Sequence, residues 1–130
     1  MNPIFQTPES QGCVYIGSFT VPGKCKSKSN FKPRGRMYLS PELLAFERTG
    51  AFLAKAALRV KTPYNAGYVQ ITMYGKNKIH IDLSNSPKSI IDFLVNAGIF
   101  TDDINVGVNT PFCIIGTEEK TVLDVWGKDL

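Results

Sequence analysis

Three aspartates flank one short helical pattern in the second half of the chain. Asp82 precedes the pattern, and Asp102 and Asp103 follow it. The pattern begins near Pro87 and reaches Gly98, a residue that favours the end of a helix. Carboxylate oxygens are the side-chain ligands that Mg²⁺ prefers, so acids gathered from both ends of this helix would suit a divalent metal ion.

Matching lengths would allow these acids to meet. A helix from Pro87 to Ala97 would be about 16 Å long, and an extended chain from Gly98 to Asp103 would reach about 17 Å. A segment that returned antiparallel to the helix would bring Asp103 level with the helix start. The spacing therefore predicts that Asp103 approaches Asp82 beside the first helical turn.

Clustered carboxylates are costly unless positive charge lies among them. Lys88 falls in the first turn of the predicted helix, where backbone N–H groups also suit a phosphate. Acids, a lysine and a helix start together are typical of a metal-assisted phosphodiesterase. A simpler interpretation also fits: Lys88 and Asp92 pair on the helix surface, Asp82 ends a strand, and the Asp102–Asp103 pair is solvated.

Positive charge is concentrated in the first half of the chain. Residues 1–62 hold ten Lys or Arg and three Glu, a balance of +7, whereas residues 63–130 have a balance of −3. One predicted loop without any acid carries Lys24, Lys26, Lys28, Lys32, Arg34 and Arg36. Such a loop suits nucleic acid, although an ordinary solvated loop has the same composition.

Composition limits the class of protein. The chain has 130 residues, of which 43% are apolar and 20% charged, as in one globular domain. Three dispersed cysteines and a single histidine, His80, argue against a zinc site, a disulfide framework and a nucleophile–histidine mechanism. No apolar run approaches the ~20 residues that span a bilayer, and the N-terminus lacks a secretory pattern. We expect a soluble cytoplasmic protein without a membrane partner.

Periodicity predicts the order strand, helix, strand, helix, strand, strand. The first helix is expected to begin after Ser40 and to stop before Pro63. The last two strands, 104–116 and 121–126, are expected to pair as an antiparallel hairpin. This order predicts one α+β domain over residues 1–130, with a mixed or antiparallel sheet of about four strands and two helices on one face. Residues 1–12 are expected to form a loose N-terminal extension.

Helical spacing also predicts the residues that face the core. In the first helix these are Leu43, Phe46, Leu53, Ala57 and Val60, with Gly50 marking a close approach. In the second helix they are Ile90, Ile91, Phe93, Leu94 and Ala97.

The stretch "DLSNSPKSIIDFLVNAGIFTDD", residues 82–103, resembles the RusA-type Holliday junction resolvases of bacteria and their phages. That family carries Asp-x-Asp-Asn-x-x-Lys at a helix start, an Asp on the helix, Ala-Gly near its end and a closing Asp-Asp. The matching residues here are Asp82, Asn85, Lys88, Asp92, Ala97, Gly98, Asp102 and Asp103. The resemblance covers roughly residues 18–125.

The resemblance implies a RusA-like homodimer that resolves four-way DNA junctions in recombination and repair. It implies paired nicks that depend on Mg²⁺ or Mn²⁺, with Asp82 and Asp103 as metal ligands and Lys88 at the scissile phosphate. Asp102 is implied as a neighbour of that metal site without a fixed role. Contact with DNA is implied for Asn85 and for the basic loop residues named above.

One position departs from the family pattern. The second Asp of the family's Asp-x-Asp is Ser84 here, and a neutral oxygen holds a metal ion less tightly than a carboxylate. An alternative function is therefore a branched-DNA-binding protein with weak or no cleavage. In a further alternative, the chain is a protein-interaction or structural domain and its basic loop is only solvated.

Overall fold

The sheet and helices predicted from the sequence are present in the computed structural model, which describes residues 7–23, 41–75, 86–109, 112–116 and 118–130. These ranges form one α+β domain with a five-stranded mixed sheet and two helices, which confirms the predicted fold class. The elements are β1 (Val14–Pro22), α1 (Pro41–Leu58), β2 (Ala66–Gly75), α2 (Ser86–Asn96), β3 (Val106–Val108), β4 (Phe112–Ile115) and β5 (Lys120–Lys128). Neither helix in these ranges has the length and apolar character to cross a membrane.

The central strand of the sheet is β2. It pairs antiparallel with β5 on one edge and parallel with β3 and β4 on the other, and β1 pairs antiparallel with β5. The predicted hairpin of the last two strands is therefore wrong, because β2 lies between them. Its buried residues Val69, Ile71 and Met73 are fully inaccessible, and a central place satisfies the backbone of this apolar strand on both edges.

Asn109 explains why the segment expected as one strand forms two. The backbone N–H of Ile71 donates to Asn109 Oδ1 at 2.7 Å, and Asn109 Nδ2 donates to the Ile71 carbonyl at 3.3 Å. The side-chain amide thus replaces a strand neighbour opposite Ile71 between β3 and β4. The backbone of β2 remains hydrogen-bonded at Ile71 although the neighbouring strand is interrupted between β3 and β4.

Both helices pack on one face of the sheet, as predicted, and share a single core with it. On α1 the buried residues recur every fourth position: Phe46, Gly50, Ala54 and Leu58. Ala57 is exposed, so its predicted place in the core is wrong. The close approach expected at Gly50 is confirmed, since a Cβ there would lie 2.6 Å from the ring of Phe93 on α2.

The core face of α2 follows the prediction closely. Ile90, Phe93, Leu94 and Ala97 are buried, and Ile91 is partly exposed.

The helix α1 ends earlier than predicted. Its last residue is Leu58, several residues before Pro63, and the next residue, Arg59, has a left-handed backbone with φ of 51°.

The described part of the expected N-terminal extension contacts the sheet. Residues Glu9–Gln11 form a 3₁₀ turn. Trp126 Nε1 donates to Glu9 Oε1 at 2.7 Å, and Lys128 Nζ donates to the Gln11 carbonyl at 2.8 Å. Two hydrogen bonds therefore hold this turn against β5.

Candidate functional site

The reversal of the chain after α2 determines where its acids lie. Gly98 has a left-handed backbone with φ of 77°. Its N–H donates to the Val95 carbonyl at 3.0 Å, and the Ile99 N–H donates to the Leu94 carbonyl at 3.0 Å. This pair of bonds is a Schellman motif, which confirms the predicted helix stop.

The return segment is fixed by Tyr64, which lies two residues before the start of β2. The Tyr64 N–H donates to the Ile99 carbonyl, and the Thr101 N–H donates to the Tyr64 carbonyl, both at 2.9 Å. Between them Phe100 is buried in the core. The chain is thus hydrogen-bonded to Tyr64 up to Thr101, and the exposed residues 102–105 form a loop beyond it.

Asp102 and Asp103 have different surroundings in this loop. Asp102 Oδ1 accepts a hydrogen bond from the Ile104 N–H at 3.0 Å, which closes a local turn. Both aspartates are exposed and line an open cavity of about 400 Å³. The described residues that line it are Glu47, Asp92, Val95, Asn96, Thr101, Asp102 and Asp103.

The cavity is acidic and brings together three separate segments. Glu47 comes from α1, Asp92 from α2, and the aspartate pair from the loop. We call the cavity lined by these four carboxylates the acidic cavity. The sequence pattern did not indicate Glu47, because it is a charged residue next to the core residue Phe46 and lies more than thirty residues before the motif.

Asp102 and Asp103 share their cavity with a part of α2 that is closer to its C-terminus than expected. The cavity includes Asp92, Val95 and Asn96, which belong to the C-terminal half of the helix, and Asp92 is about 9 Å beyond Ser86 along the axis. The prediction that Asp102 and Asp103 lie beside the start of α2 therefore differs from the structure. The reason is the hydrogen-bonded path through Tyr64, which keeps the return segment from extending straight back.

The structure describes only some of the remaining predicted site residues. Lys88 is exposed on α2, one turn before Asp92, and is not among the residues lining the acidic cavity. Asp82, Ser84, Asn85 and the basic loop from Lys24 to Arg36 lie outside the described residues. The approach of Asp82 to Asp103 therefore stays a prediction.

The donor atoms of the acidic cavity suit magnesium chemically. Carboxylate, amide and hydroxyl oxygens are hard ligands of the kind that Mg²⁺ takes, alongside retained waters. Within the described ranges, however, no three Asp, Glu, His or Cys side chains form a group that could hold a metal ion. A bound ion would therefore need a ligand from beyond these ranges, and Asp82 is the residue expected to supply it.

Comparison with known proteins adds no family to this picture. The chain matches no protein-family model and no curated protein. The resemblance to RusA-type resolvases therefore depends on the motif at residues 82–103 alone.

Proposed function

We propose that this chain is a RusA-like, metal-dependent endonuclease that resolves four-way DNA junctions. The observation that carries the proposal is the acidic cavity. Asp92, Asp102 and Asp103 are motif residues from two elements, and they line one open space with Glu47. A space of about 400 Å³ has room for a hydrated ion and a phosphate group.

The roles proposed for the residues come from the resemblance and, for Asp102, also from its hydrogen bond. Asp103, with Asp82, would hold Mg²⁺ or Mn²⁺, and the bound ion would polarise the scissile phosphate and activate water. Asp102 is a positioning residue, because its Oδ1 fixes the loop backbone at Ile104. Lys88, exposed on the first turns of α2, would offset charge that develops on the phosphate.

DNA binding and assembly complete the proposal. The loop from Lys24 to Arg36 would contact the phosphate backbone, with Asn85 beside the cutting site. Paired nicks on two strands require two sites related by symmetry, so we include a homodimer. The cytoplasm is the proposed compartment, because it gives access to recombining DNA in bacteria.

A second candidate is a protein that binds branched DNA and cleaves it weakly or not at all. The observation that favours it is Ser84, where the family pattern has an aspartate. One fewer carboxylate lowers the affinity for Mg²⁺, while the residues proposed to bind DNA are unchanged.

The test is a nicking assay on an end-labelled four-way junction, with a linear duplex of matched length as the control substrate. Paired nicks on the junction that require Mg²⁺ and stop in EDTA would support the endonuclease. Tight junction binding without nicks would favour the second candidate. Equal affinity for junction and duplex, with no nicks, would contradict both.

A further inference from the structure

A second cavity, of about 440 Å³, lies where α1 ends and β1 begins. Its residues are distinct from those of the acidic cavity: Tyr15, Ile16, Leu58, Arg59, Val60, Lys61, Thr62, Tyr64 and Asp129. We call it the cationic cleft. None of the described residues from the motif at residues 82–103 lines this cleft.

The charge of the cleft comes mainly from Arg59 and Lys61, which are both exposed. Among the described residues that line the cleft, Asp129 is the single acid. Among the residues that the structure describes, neither cation forms an ion pair with Asp129. The two cations can therefore bind an anionic ligand from solution.

The other polar groups of the cleft add no negative charge. Tyr15 donates its phenol proton to Asp124 Oδ1 at 3.0 Å. Partial burial raises the pKa of Tyr15, and the hydrogen bond to the Asp124 carboxylate raises it further. The phenol therefore stays neutral at physiological pH. Thr62 supplies a hydroxyl group, and Leu58 forms part of the apolar lining.

The backbone at Arg59 is unusual for a side chain of this size. Its φ of 51° lies in the left-handed region, which is unfavourable for a residue with a Cβ and is commonly occupied by glycine after a helix. Arginine at this point does offset the partial negative charge of the helix end. It also holds a planar guanidinium at the cleft, a group whose geometry matches phosphate oxygens.

We propose that the cationic cleft binds the phosphate backbone of a DNA arm, at a contact separate from the acidic cavity. This inference rests on the proposed function and names a surface of its DNA-binding site. Arg59 and Lys61 belong to the half of the chain that carries a balance of +7, and a polyanion is the ligand that this excess favours. Phosphate contacts of this kind fix orientation and carry no sequence preference.

The experiment measures the affinity for a four-way junction and for a linear duplex over a range of KCl concentrations. The variants are Arg59→Gln, Lys61→Gln and the double variant. The control is Lys55→Gln, which removes an exposed charge from the last turn of α1, outside the cleft. The association constant K falls as KCl rises, so the slope of log K against log[KCl] is negative. We expect its magnitude to decrease by about 0.9 for each phosphate that is no longer neutralised, hence by about 2 in the double variant. Slopes equal to that of the control would overturn the proposal.

A further variant, Arg59→Gly, separates DNA binding from a purely structural role. Glycine relieves the left-handed strain, so thermal stability should be kept or raised. Affinity for DNA should nevertheless fall with a reduced salt slope. Unchanged affinity in this variant would show that Arg59 serves only the helix end, and would overturn its part in the cleft.

Two measurements, nicking by the wild type and DNA binding by the variants, distinguish failure of the cleft from failure of the proposed function. If the wild type nicks junctions with Mg²⁺ while the cleft variants bind like Lys55→Gln, the cleft is wrong and the function stands. If the variants lose duplex affinity while the wild type never nicks, the cleft stands and the endonuclease is wrong. Absence of any DNA binding by the wild type would overturn both.

Discussion

At the scale of single residues, the adjacent aspartates of the closing Asp-Asp pair differ in their hydrogen bonds. Asp102 bonds to the backbone of its own loop through the Ile104 N–H, whereas no such backbone bond is described for Asp103. Both carboxylates line the acidic cavity. The proposed division of roles, with Asp103 as a metal ligand and Asp102 shaping the loop, draws on this difference in hydrogen bonding, which the sequence motif alone does not give.

Ser84 is the residue that we expect to limit cleavage. In an extended segment, residues 82 and 84 point to the same side, so Ser84→Asp would add a carboxylate facing the ion held by Asp82. We predict that the variant nicks a four-way junction faster than the wild type and reaches half its maximal rate at a lower Mg²⁺ concentration.

Ser86→Asp is the matched control, because it adds one negative charge at the start of α2 without restoring the family pattern. Its nicking should resemble that of the wild type. Rapid cleavage by the wild type at low Mg²⁺, with no gain from Ser84→Asp, would show that Ser84 is only a helix cap.

At the scale of elements, the Schellman turn after α2 directs the acid-bearing loop towards the acidic cavity. A Cβ at Gly98 would meet nothing within 4 Å, so only its left-handed backbone opposes substitution. We predict that Gly98→Ala lowers the free energy of unfolding by about 1–2 kcal/mol, measured by urea denaturation.

Gly98→Asn provides the comparison, since asparagine tolerates the left-handed region better than alanine and should cost less. Equal stability of wild type and Gly98→Ala would mean that the turn does not require a left-handed residue.

Elements with a strong local pattern were predictable from the sequence. The alternation of Val69, Ile71 and Met73 predicted the buried side of β2, and helical spacing predicted most of the core face of α2. The hairpin was wrong because a short turn fixes the relative direction of two strands but does not make them neighbours. The insertion of β2 between β4 and β5, and the side-chain bridge from Asn109 to Ile71, depend on partners distant in sequence.

At the scale of the whole molecule, the division of charge along the chain does not map simply onto its surface. Glu47, from the basic half, joins the acidic cavity, and Asp129, from the acidic half, joins the cationic cleft. The motif predicted that acids would gather around α2 but not their level, because the hydrogen bonds of Tyr64 to the return segment leave no local signal. The cleft could not be predicted either, since it forms only where the end of α1 meets β1.

In the proposed function, the acidic cavity together with Asp82 holds the metal ion that DNA cleavage requires. The most direct measurement is the rate of Mg²⁺-dependent nicking of a four-way junction by Asp103→Asn compared with Asp102→Asn. Both variants remove one negative charge, but asparagine at residue 102 keeps an oxygen that can accept from the Ile104 N–H. We predict a loss of about 100-fold or more for Asp103→Asn, less than about 10-fold for Asp102→Asn, and unchanged junction binding in EDTA for both. Nicking by Asp103→Asn at the wild-type rate would contradict the claim.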